Sequence, residues 1–268
     1  MGLFSRRLVS FQLTICGIDE LGLHCKERVT HVLSLLDPGW PDLDAFGSFD
    51  PHQRLELRFH DVIDAGPGCV APEREDVERL LAFGRELSRA RETHLLVHCH
   101  AGVSRSTAAA TLIVAQTRPD RPAEEALVAV VRQRPHAWPN LRIIELGDAL
   151  LGRRGEIVDA VRAQYRRQLE REPWLIEQMI EGGRGREVAE AGRFESLPLD
   201  GGGFGRGWTP PPQAAGEATK PPPLANQTRN CSAPGRITPT VTRPHRGGGN
   251  LLTNREYPSP SGERLGWG

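Results

Sequence analysis

The sequence predicts an α/β fold, a central and mostly parallel sheet flanked by helices, followed by a long C-terminal tail. Two patterns carry that reading. Short apolar or alternating runs trade places with helical periods up to about residue 98, and a run of helices then follows. Gly and Pro are also unevenly spread: 17 of the 29 Gly and 12 of the 22 Pro fall within residues 182–268, with no period. Such a stretch cannot bury enough apolar surface to offset its ordering entropy. A folded domain over 1–181 and a disordered tail over 182–268 are therefore expected.

Taken in order, Val9, Phe11, Leu13 and Ile15 alternate with Ser10, Gln12 and Thr14, the two-residue period of a half-buried strand. The run at 30–36 predicts a second strand, and at 54–59 Leu55, Leu57 and Phe59 alternate with Arg54, Glu56 and Arg58 in a third. Gly66, Pro67, Gly68 and Pro72 make 61–72 a loop. Val77, Leu80, Leu81, Gly84 and Leu87 recur at helical spacing, so 73–90 reads as an amphipathic helix leading into a short buried strand at 95–97. A polar loop at 99–105 and a helix from about Ser106 come next. Pro122 opens another helix, with Glu124 and Glu125 at the positive end of its dipole. Helices at 140–151 and 156–171 complete the domain, and Pro173 stops the last one.

Charge is balanced, 34 Lys and Arg against 34 Asp and Glu, so no general field draws the chain to nucleic acid or to an anionic membrane. Five cysteines (Cys16, Cys25, Cys69, Cys99, Cys231) form no CxxC pair, which indicates neither a disulfide framework nor a zinc module and fits a reducing cytoplasm. The first residues lack the apolar run of a signal peptide, and Arg6 stands where a myristoylation pattern needs Ser or Thr. The longest apolar stretch, around Ala108 to Ala115, is short for a membrane span. Neither a nucleic-acid partner nor a membrane anchor is expected.

Residues 97–107 read Val-His-Cys-His-Ala-Gly-Val-Ser-Arg-Ser-Thr, a strand end, a CX5R loop and a helix start. A loop that turns from a strand into a helix N-terminus points successive amides inward and makes a nest for a phosphate dianion. Here His100, Ala101, Gly102, Val103, Ser104 and Arg105 would supply it. The same nest favours the thiolate of Cys99, the form that attacks. Gly102 lets the loop curl, and the planar fork of Arg105 can hold two phosphate oxygens.

This motif resembles the HCxxGxxR[ST] signature of the protein-tyrosine and dual-specificity phosphatases at every defined position: His98, Cys99, Gly102, Arg105 and Ser106. Residues 134–150 resemble the Arg-Pro…Pro-Asn segment that follows the signature in that family, and Phe-His-Asp at 59–61 resembles the place of its general acid. The resemblance covers about residues 28–151. It implies hydrolysis of phosphate monoesters, phosphotyrosine first, on a phosphorylated protein or small ester, with no metal or cofactor. Cys99 would attack phosphorus, Asp61 would protonate the leaving oxygen and then serve as base for water, and Ser106 would bond the departing thiolate. Asp64 is the alternative acid. His98 and Asn140 would support the loop.

Other readings stay open beside this one. Ser106 could act only as a helix N-cap, and Asn140 only as a helix start. His94, His98, His100 and Cys99 could hold a metal, though no further ligand is spaced to complete a site. His100 reads as an incidental loop residue, and Trp40, between Gly39 and Pro41, as packed or as a cleft wall. A phosphoinositide or RNA 5′-phosphatase would use the same loop, although the intervening His-Ala-Gly-Val-Ser carries no lysine. A phosphate-binding module without catalysis is the rival of a different class.

Overall fold

The computed structural model describes residues 9–87 and 92–192. Four strands, β1 (Gln12–Cys16), β2 (His31–Leu36), β3 (Gln53–Arg58) and β4 (His94–His98), form one sheet in the order β1-β4-β2-β3. Every pairing in it is parallel. Each strand overlaps a run read from the sequence, with ends shifted by up to three residues. The helices are α1 (Arg74–Leu87), α2 (Arg105–Thr117), α3 (Ala123–Gln133), α4 (Leu141–Leu151), α5 (Glu156–Arg171), α6 (Leu175–Glu181) and α7 (Gly185–Gly192).

Parallel strands buried on both faces read as apolar runs, and side-chain alternation divides them between two cores. Ile15, Leu33, Leu35, Leu95 and Val97 face the helices, in a cluster with Val77, Leu80, Leu112 and Ile144. Their neighbours Cys16, Val32 and Leu96 face the other way, onto Leu21 and the flanking Phe46 and Phe49. That second face carries no α-helix among the described residues: 3₁₀ turns at Ile18–His24 and Asp44–Ser48 cover it. The expected α/β fold, a parallel sheet flanked by helices, is the one observed, its α-helices packing on one face.

Helix α2 is the hub of the helical layer, with every residue from Arg105 to Ala115 buried. Helix α4 approaches it closely at Gly147, where a Cβ would come within 2.2 Å of Leu112 Cδ1. That approach sets the N-terminus of α4 beside the start of α2, and so beside the CX5R loop.

The boundary expected at residue 181 is corrected. The chain turns at 182–184 and continues into α7, where Arg184, Glu187, Glu190 and Ala191 are buried. Ile157, Val158, Tyr165, Met179 and Ala191 all belong to the same core cluster as the sheet. The remainder of the predicted tail, 193–268, lies outside the described residues.

Candidate active site

All four strands end at the same edge of the sheet, and each is followed by a residue of the site, as open parallel sheets favour. Ile18 follows β1 and donates its N–H to His100 O at 2.9 Å. Asp37 follows β2, Phe59 and Asp61 follow β3, and Cys99 follows β4.

The loop from Cys99 to Arg105 is held by its outer rim. His100 O accepts from Ile18 N, Val103 O from Trp138 N at 2.9 Å, and Ser104 O from Asn140 N and Ala108 N. Arg134 donates to Ala101 O at 2.9 Å and to Gly102 O at 3.1 Å. Glu20 holds that guanidinium with both carboxylate oxygens at 2.9 Å and itself accepts from Gly17 N. Five successive carbonyls are thus turned outward. In a planar trans peptide the next N–H points the opposite way, so the amides of 101–105 face the interior of the curl. Gly102 sits at φ +69, and a Cβ there would meet the Cys16 carbonyl carbon at 2.5 Å, so both conformation and space require glycine.

Cys99 is buried at the floor, with its Sγ 3.2 Å from Ser106 Oγ. Helix α2 begins at Arg105 with Ser104 as its N-cap, so Ser106 lies inside the first turn and its hydroxyl serves the thiol instead of a cap. Arg105 returns across the loop, where its Nη1 donates to Asp37 Oδ1 and to Phe59 O, each at 2.7 Å. Its Nε is a buried donor with no protein partner.

His98 supports the loop from behind through Ser34 Oγ, 2.7 Å from its Nε2, and Ser34 in turn accepts from Arg54 Nε. Burial, reinforced by Arg54, pushes the His98 pKa down to about 3, so the ring is neutral and acts as a brace. His100 is no incidental residue. Its Nε2 accepts from Asp37 N, and its ring packs on Trp40 with centroids 4.1 Å apart. Trp40, the cleft-wall candidate, thus lies with His100 at the loop. The three histidines proposed for a metal go to separate partners, His94 to Thr14 and Glu27 O, and no group of His, Cys, Asp and Glu among the described residues is arranged for an ion.

The two candidate acids separate clearly. Asp61 is buried, and its Oδ1 accepts from Ser104 Oγ and from Asn140 Nδ2, both at 2.8 Å. Arg184 Nη1 lies 3.3 Å from the same oxygen. Burial alone would raise the Asp61 pKa, but Arg184, Arg105 and the two hydrogen bonds outweigh it and hold the carboxyl below its ordinary value. Asp64 is exposed and pairs with Arg186 at 3.1 Å. Asn140 fills both roles left open for it, capping α4 through Ile143 N and tying the loop after β3 through Asp61 and Val62 O.

No protein-family model matches the chain. Among characterised proteins, it is 33% identical over 154 residues to the human protein phosphatase Slingshot homolog 3, covering 56% of this chain and 21% of that protein. It is 29% identical over 140 residues to a Dictyostelium discoideum MAP kinase phosphatase with leucine-rich repeats, covering 47% and 18%. In sequence the chain is thus similar to protein phosphatases of the dual-specificity kind. It spans about a fifth of the length of these relatives. Solved structures similar to this chain include human DUSP28, at 19% identity and TM-score 0.42 over 55% of this chain and 98% of that one. The human serine/threonine/tyrosine-interacting protein aligns at 16% identity and TM-score 0.41, over 55% and 95%.

Sequence reasoning missed Asp37, the Glu20–Arg134 strut and the three buried or half-buried residues Arg184, Arg186 and Glu187. Asp37 had a usable signal, an acidic residue directly after a parallel strand. Arg184, set among glycines, had none. Of the other cysteines, Cys16 and Cys25 are free thiols, while Cys69 is disulfide-bonded, a bridge that the spacing does not anticipate. Burial first, then Glu20, pushes the Cys16 thiol up to about 12, which makes it inert beside the site.

Proposed function

We propose that this domain hydrolyses phosphate monoesters through a phosphocysteine intermediate, with phosphotyrosine on proteins as its main substrate and phosphoserine and phosphothreonine open to the same chemistry. The observation that carries the reading is the Cys99–Ser106 pair, 3.2 Å apart at the floor of a loop whose five carbonyls are engaged on its outer side. The inward amides and Arg105, whose Nε is still without a protein partner, match the charge of a phosphoryl group.

In the first step Cys99 Sγ bonds to phosphorus as the ester P–O bond breaks, and Asp61 gives its proton to the leaving oxygen. In the second, Asp61 takes a proton from water, water oxygen bonds to phosphorus, and the S–P bond breaks with the Ser106 hydroxyl bonded to the departing sulfur. The downward shift of Asp61 suits the base of the second step, and arrival of a phosphate dianion raises the pKa toward what the first step needs. Trp40, half-buried and packed against His100 at a tilt of 48°, offers a wall against which a phenyl ring can lie, which favours phosphotyrosine. A nucleophilic thiol must be reduced, so we place the activity in the cytoplasm.

The test measures turnover of an aryl phosphate and of a panel of phosphotyrosine, phosphothreonine and phosphoserine peptides, a phosphoinositide and a triphosphate-ended RNA. Acid quenching should trap phosphate on Cys99. Cys99→Ser should lose at least about 10³-fold in rate while still binding vanadate. Turnover by that variant at the wild-type rate would refute the mechanism, and preference for the lipid or the RNA would refute the substrate class.

A further inference from the structure

The loop that carries both acid candidates is gripped by the last described helix. Arg184, at the turn into α7, is buried and donates to both carboxylate oxygens of Glu187, each at 2.8 Å. Glu187 is itself anchored, accepting from Trp138 Nε1 at 2.5 Å and from Leu141 N at 3.0 Å. That arrangement already satisfies one positive and one negative buried charge. Arg184 nevertheless reaches further. Its Nη2 donates to Ser104 Oγ at 3.0 Å, and its Nη1 faces Asp61 Oδ1, the oxygen to which Ser104 also donates. Two residues on, Arg186 donates to Ile63 O and pairs with Asp64 and Glu145.

Residues 61, 63 and 64 of the acid loop and residue 104 of the phosphate loop are thus all contacted from 184–186. A residue that only stabilised the fold would have no need of the second carboxylate, because burying an extra charged group costs free energy unless its partners are well placed. We propose that Arg184 is a positioning residue of the active site, which through Asp61 and Ser104 sets where the acid's carboxyl stands against the phosphate loop, so that α7 belongs to the catalytic unit. The proposal rests on the phosphatase reading given above. Its chemical consequence follows from the geometry: loss of the guanidinium frees Asp61 to move and removes the positive charge that keeps it ionised.

The test uses the full chain and compares Arg184→Gln and Arg184→Lys, alone and with Asp61→Asn. On a phosphotyrosine peptide Arg184→Gln should lower kcat about tenfold or more, leave vanadate affinity within about threefold, and move the basic limb of the kcat–pH profile to higher pH. In the Asp61→Asn background it should cost nothing further, because residues that act through one another are not additive. Wild-type kcat with an unmoved basic limb, or a full additive loss on top of Asp61→Asn, overturns the proposal. Should Arg184→Gln fail to fold by circular dichroism, Arg184→Lys decides: it keeps the buried charge but loses the fork, so kcat and the basic limb must still change, and an unchanged pair overturns the proposal. Failure of the phosphatase reading is a separate result, absence of phosphate-ester turnover in the wild-type protein.

Discussion

Two loops meet at the site, and they are held in opposite ways. The loop at 99–105 takes its course from a strand that enters it and a helix that leaves it, and its five central carbonyls accept bonds on the outer side, mostly from Ile18, Arg134, Trp138 and Asn140. The loop at 59–64 is held mainly by side chains sent from elsewhere, Asn140 at the start of α4 and Arg184 and Arg186 at the start of α7. A phosphate nest needs amides, which any residue except proline brings with it, so its shape follows from local chain geometry. A carboxyl that must give and take a proton needs its charge tuned, and only distant charged groups can do that. The functional groups of the binding half are consecutive in sequence, whereas those of the acid–base half are gathered from distant segments.

That contrast can be broken at four points. The largest effect should come from ending the chain after Glu181, which strips Arg184 and Glu187 from Asp61, Trp138 and the N-terminus of α4. Removing partners from a buried charge cluster costs about 3–5 kcal/mol, read as a lower urea midpoint, whereas a chain ending at Gly192 should match the full protein. Equal midpoints for the two would show that α7 is dispensable. Arg105→Lys should follow, with a loss of about 10³-fold in kcat/KM, because a point charge cannot replace the two-pronged fork. Retention of more than a tenth of the activity would deny the clamp.

Asp61→Ala should cost about 10²-fold on phosphotyrosine and much less on an activated aryl ester, whose leaving group needs no proton. The same residue predicts a pH dependence of stability. Its folded pKa lies below the unfolded one, so its contribution is complete above the ordinary carboxylate range, about pH 4, and is lost as the pH falls through the lowered value. Asp61→Asn should therefore flatten the acid limb of a melting-temperature profile. Asp64→Ala, at an exposed position paired to Arg186 at 3.1 Å, should be the mildest, within about threefold in rate. The reverse order for Asp61 and Asp64 would move the acid outward and detach it from Asn140 and Arg184.

Much of this was legible from the chain alone. The end of the alternation from Val9 to Ile15, the apolar run at 30–36 and the helical spacing from Val77 to Leu87 fall on the elements they suggest, because burial imposes its period directly on the residues concerned. Cys99, Gly102, Arg105 and Ser106 are legible for the same reason, since a strand, a tight curl and a helix N-terminus occupy consecutive residues. Density of Gly and Pro, by contrast, drew the domain boundary too early. It averages over a window and does not see that Arg184 and Glu187 are buried as a pair. The roles of Asp37, Trp40 and His100, the split between Asp61 and Asp64, and the reach of α7 depend on residues between 43 and 123 positions apart in the chain. No local pattern encodes such contacts: a charged side chain takes its partner, its burial and its proton affinity from whatever the packed sheet and helices bring to it.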